Sequence, residues 1–182
     1  LNTIKNAIGG AVDRVDTLNK FPKMMESWGY SAEQSKGAID KLSKGIDGLP
    51  TALDEVAGTT QQLTLLTGNL EKSTDLTLAL NNAFLASGSS AADASRGLIQ
   101  FSQMLSNGKV DMQSWRTLME TMPVGLQKTA EAFGFTGAAA KNQLYEALKE
   151  GNITFDQFSD KLIELNDGVN GFAELARINS IG

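Results

Sequence analysis

SNGKVDMQSWRTLMETMP, residues 106–123, is the stretch whose reading decides the fold, and KEGNITFDQFSDKLIE, residues 149–164, repeats its spacing. In each, a Gly (Gly108, Gly151) is followed at +2 by an aliphatic residue, Val110 or Ile153. At +4 comes Met112 or Phe155, and at +7 an aromatic, Trp115 or Phe158. Asp111 and Thr154 stand where a helix N-cap is needed, and Thr154 with Gln157 has the capping-box spacing. The spacing has a local physical meaning. Gly supplies a left-handed turn after one helix. The aliphatic residue before the cap can staple onto the next helix, and the aromatic lies one turn inside that helix, where it anchors it to a core. Both stretches therefore predict helix–turn–helix corners that fold the chain back. Pro123 suits the first turn of a further helix, because that position needs no backbone N–H. Two copies make a local duplication and not a solenoid.

Outward from these corners, apolar residues recur at three and four almost everywhere, and runs of alternating β-branched residues are missing. The expected fold is all-α: a compact bundle or array of about nine short helices with an N-terminal amphipathic helical segment. The first pattern covers 3–26, with Ile4, Ile8, Ala11, Val15 and Leu18 as one stripe interrupted by Gly9 and Gly10. Ser31 and Gln34 form a capping box before a helix at 32–46. Gly48 and Pro50 punctuate the chain, so the expected domains are 1–48, the amphipathic segment, and 49–182. Thr51 with Asp54 and Glu55 opens a short helix, followed by one at 59–67. Ser73 or Thr74 caps a helix at 74–87, and further helices cover 91–106, 112–121, 123–133, 137–149, the stretch after Thr154 and 170–179.

Composition removes whole classes of function. The 182 residues contain no Cys and no His. Disulfides, thiolate metal sites, His-ligated zinc and His-based nucleophilic catalysis are all excluded. The net charge is −5, of which residues 1–50 contribute +1 (seven basic, six acidic) and residues 51–182 contribute −6 (nine basic, fifteen acidic). No basic stripe is present for nucleic acid. No signal peptide and no apolar run of the ~18–20 residues that span a bilayer is visible. A chain that starts at Leu1 and stops mid-pattern reads as a piece of a longer protein.

The remaining chemistry is carboxylate chemistry, and each candidate has a plainer role. Glu26-Ser27 matches the Glu–Ser pair of lytic transglycosylases at two residues only, and a surface Glu at a helix end explains it as well. Glu120 and Glu131 could form a two-carboxylate glycosidase pair, but solvated helix faces account for both. GNITFDQFSDKL lacks the ligand spacing of an EF-hand loop, and no phosphate-binding glycine loop occurs. Met104, Met112, Met119 and Met122 read as core before they read as an adaptable groove. Trp115 reads as core before it reads as a partner anchor. Asn81-Asn82, between apolar turns, has no account at this level. Catalytic, cofactor-binding and metal residues are therefore none. The residues singled out are the turn and core anchors Gly108, Val110, Asp111, Trp115, Pro123, Gly151, Ile153, Thr154 and Phe158.

Longer stretches carry a resemblance. LALNNAFLASG at 78–88, SRGLIQFSQMLSNGKVDMQSWRTLMETMP at 95–123, AFGF at 132–135 and GNITFDQF at 151–158 resemble the N-terminal domain of tape measure proteins from long-tailed bacteriophages and prophages. The best match covers residues 49–165. Residues 1–48 resemble the helical run that precedes that domain. The resemblance implies a structural virion component inside the tail tube that governs tail assembly and length, not an enzyme. Implied partners are the tail tube protein, tail assembly chaperones, tail-tip or hub proteins and further copies of itself. It implies location in the tail lumen, and in the host cytoplasm during assembly, with no cofactor. Two alternatives remain at this level: a module associated with a peptidoglycan hydrolase of a phage tail, and a helical protein-binding adaptor outside phages.

Overall fold

Spacings of three and four, with polar or Gly breaks every few turns, give ten helices and no strand among the described residues. A computed structural model describes the backbone of residues 2–181 and the side chains of residues 13–180. The helices are α1 (Asn2–Ser27), α2 (Ala32–Gly45), α3 (Leu53–Thr67), α4 (Leu70–Ala86) and α5 (Ala91–Asn107). They continue with α6 (Met112–Thr121), α7 (Pro123–Ala132), α8 (Ala140–Glu150), α9 (Phe155–Asn166) and α10 (Phe172–Ile181). Contacts divide the chain into two compact units between Thr74 and Asp75, inside α4.

In the first unit α1, α2 and α3 pack pairwise on one another. The hairpin of α1 and α2 turns at Trp28–Ser31, where the expected capping box forms: Gln34 N–H donates to Ser31 Oγ at 3.0 Å and Ser31 N–H to Gln34 Oε1 at 3.1 Å. Arg14 Nη2 donates to Ser43 Oγ at 2.6 Å and pins the two helices together. The expected stripe on α1 is corrected in part. Ile4, Ile8 and Ala11 have side chains outside the described residues, Val15 is 57% exposed and Leu18 is half-buried, and among the described residues of α1 the buried hydrophobics are Phe21 and Met25. The short helix expected to open at Thr51 and the further one expected at 59–67 form the single helix α3, because Gly58 does not break it. Its N-cap is Ala52, which makes no side-chain cap, not Thr51. The punctuation at 47–51 connects α2 to α3, and the contact division lies further on because α3 packs back onto α1 and α2.

α4 begins at Leu70, four residues before the expected start. Asn69 caps it, its Oδ1 accepting from Lys72 N–H at 3.0 Å. In the second unit the α4 residues from Leu76 to Ala86 are all buried. A helix buried on every side is a core element, not an amphipathic one. Some of the close approaches to it are made by glycine or by a polar side chain. A Cβ on Gly97 of α5 would collide with the Phe84 ring, and one on Gly125 of α7 would lie 2.9 Å from Ala83 Cβ. Asn82 Nδ2 donates to Asn166 Oδ1 of α9 at 3.0 Å, and Asn179 Nδ2 of α10 donates to the Ala86 carbonyl at 2.7 Å. α5 packs on α6, α7 on α6, α8 and α9, and α9 on α10.

Candidate functional site

The two corners have equal length: α5 ends at Asn107 and α6 starts at Met112, while α8 ends at Glu150 and α9 starts at Phe155. Gly108 and Gly151 both take the left-handed conformation, with φ of 68° and 81°. A residue with a Cβ pays steric energy there, and Gly does not. Gly108 N–H donates to the Met104 carbonyl at 3.0 Å, which uses an otherwise unpaired helix-end acceptor. In the second corner Ile153 N–H reaches the Ala147 carbonyl at 3.2 Å. Val110 and Ile153 are buried beside their turns.

The caps differ. Thr154 makes the reciprocal box, with Gln157 N–H on Thr154 Oγ1 at 3.1 Å and Thr154 N–H on Gln157 Oε1 at 2.9 Å. Asp111 Oδ1 accepts from Ser114 N–H at 2.8 Å without a box. Ser114 Oγ instead donates to Gln100 Oε1 at 3.1 Å, tying α6 to α5 across the corner.

The anchors of the two corners meet. The rings of Trp115 and Phe158 lie 6.0 Å apart at 46°. Each also touches an aromatic from a helix that enters a corner: Trp115 meets Tyr145 of α8 at 5.8 Å, and Phe158 meets Phe101 of α5 at 5.9 Å. Tilted pairs at this separation add stability beyond the area they bury. One aromatic node thus joins four helices and both corners. The repeated spacing singles out Trp115 and Phe158 but neither Phe101 nor Tyr145 as a node member. The available signal was their parallel placement, 14 and 13 residues before the anchors. Trp115 Nε1 is fully buried with no hydrogen-bond partner.

Pro123 opens α7 at the first helical turn. The junction has no side-chain cap of its own. Its polar groups are met from the α4–α5 turn: Val124 N–H donates to Ser87 Oγ at 3.2 Å, and Ser89 Oγ donates to the Thr121 carbonyl. That turn therefore clips the junction in place, since helix-end backbone groups need partners.

The other sequence candidates scatter. Met104 and Met122 are buried, Met112 is 38% exposed and Met119 half-buried, so the four do not form one groove surface. Glu26 is exposed and Ser27 Oγ donates to the Met24 carbonyl at 2.6 Å. Glu120 and Glu131 are exposed helix residues. Asn81 and Asn82 are buried on α4, and Asn82 pairs with Asn166. Among the described residues no group of three or more acidic side chains is placed to hold a metal ion, and no helix is long and apolar enough to cross a membrane.

The arrangement is one of packing and reversal, and a sequence comparison says where such packing is used. The model of the family described as tape measure protein matches residues 9–179. The chain belongs to the tape measure protein family. The match runs through both corners, the node and α1–α3 alike. As a tape measure domain the chain has a structural role in a phage tail, and its partners are tail proteins. No curated protein matches it, and no solved structure does.

Proposed function

We propose that this stretch is a folded docking and assembly module of a tape measure protein, and not the part whose extent counts tail length. In this reading it works inside the tail tube and, during assembly, in the host cytoplasm. Its partners are tail assembly chaperones, the tail tube protein, tail-tip or hub proteins and other copies of itself. The domain proposed for this role is 49–182.

The node is the observation that carries the reading. A ruler works by extent, and an α-helix advances ~1.5 Å per residue. A continuous helix would hold Trp115 and Phe158 ~65 Å apart; their rings are 6.0 Å apart. Chain that returns on itself to this degree is poor measuring rod and good binding body.

A substitution at constant chain length tests the proposal. Trp115→Ala in the encoding gene removes the node without changing the residue count. The module reading predicts few or malformed tails. Met112→Ala, at an exposed position of the same corner, should leave tails normal. Normal tails from Trp115→Ala, with the protein present at its usual level by immunoblot, would overturn the proposal.

A further inference from the structure

A trench of about 510 Å³ lies between α8 and the connection that joins α7 to α8. Phe133, Phe135, Ala147 and Ile153 give it an apolar floor. Glu146 and Glu150 stand on its rim, both exposed, and none of its lining residues is basic. Neither carboxylate makes an ion pair within the described chain; Glu150 only accepts from Asn152 Nδ2 at 3.4 Å. The Phe133 side of the floor is braced, with Lys161 Nζ 5.5 Å from the ring centroid. The node does not use this face.

The chemistry of the trench selects its occupant. The α8 wall extends from Ala139 to Glu150, about 16 Å of helix or three turns. Its backbone groups are committed to the helix, so no edge is offered to an added strand, and recognition must run through side chains in the helix-in-groove mode. The two carboxylates are four residues apart and share one face, about 6 Å along the axis. That spacing matches Lys or Arg four apart on a facing helix. The same carboxylates repel nucleic acid and anionic lipid.

We propose that the α8 trench receives an amphipathic helix of about three turns whose apolar stripe is edged by Lys or Arg four residues apart. The inference gives the docking module proposed above one specific partner face and rests on that reading for its biological use. The aromatic floor supplies affinity. Glu146 and Glu150 supply register and reject acidic partners, the usual division of labour between apolar and charged interface groups.

The test uses the whole 182-residue chain, labelled with ¹⁵N, and three stapled helical peptides of about eleven residues. All carry the same Leu stripe; their edge positions are Lys, Gln or Glu. The expected amide shifts centre on Phe135, Ala147 and Ile153, with the Lys peptide binding several-fold more tightly than the Gln peptide and the Glu peptide weakest. The Lys preference should vanish in the Glu146→Gln, Glu150→Gln double variant, whose exposed sites leave the fold intact, and shrink at 1 M salt. Shifts centred elsewhere, equal binding of the three peptides, or a Lys preference that survives the double variant would each overturn the proposal. A failed titration leaves the tail experiments untouched, and normal tails from Trp115→Ala would leave a successful titration standing.

Discussion

Trp115 shows how far a single residue can be read. Its spacing from Gly108 places it one turn inside α6, and that much is local. That it touches Phe158, 43 positions on, is not local: helical phase says which face a side chain occupies and nothing about which distant face it meets. The buried indole N–H without a partner is likewise a product of tertiary packing. It has a consequence in denaturation. Trp115→Ala should lower stability by ~3–5 kcal/mol through the cavity it leaves. Trp115→Phe should recover most of that, because it keeps a ring in the node and removes a donor whose unmet burial costs ~1–3 kcal/mol. Equal losses in urea titrations of the two variants would contradict this expectation. Asn82 belongs with Trp115: its role comes from Asn166 on α9, which no local pattern connects to it.

At the scale of helices and turns, capping chemistry was legible wherever side chain and backbone answered each other. Ser31, Asp111 and Thr154 all cap as their neighbours imply. Caps are less legible where several polar residues lie near one helix start. Asn69 lies nearer the Gly68 turn than Ser73 or Thr74 does, so it captures the start of α4. Glycine within helices was the least legible feature, since Gly58 and Gly97 look alike in sequence and differ in surroundings. Nothing lies within 4 Å of where a Gly58 Cβ would stand, whereas a Gly97 Cβ meets the buried Phe84 ring, with Thr121 Oγ1 at 3.1 Å. The same substitution should therefore have opposite signs. Gly58→Ala should raise stability by about 0.5–1 kcal/mol through helix propensity. Gly97→Ala should lower it by about 1–3 kcal/mol, as overpacking does. Thermal melts of the pair check both; a stabilising Gly97→Ala would show that α5 and α4 are not in close contact.

For the whole chain, the all-helical class followed from periodicity, and the exclusion of histidine and cysteine chemistry followed from composition. The division between Thr74 and Asp75 did not show, because it lies inside a helix and no Pro, Gly or charge step marks it. Gly48 and Pro50 mark a turn, and a turn in sequence does not reveal that the next helix packs backwards. The family match to residues 9–179 gives the chain a place in a phage tail, and the corners supply the reason to separate its role from length counting. That separation is tested most directly by electron microscopy of tails after in-frame deletion of residues 49–165. The account predicts no tails, or tails whose length departs from any per-residue rule. Well-formed tails shortened by ~175 Å, the extent of 117 residues at ~1.5 Å each, would contradict it, as would normal tails of unchanged length.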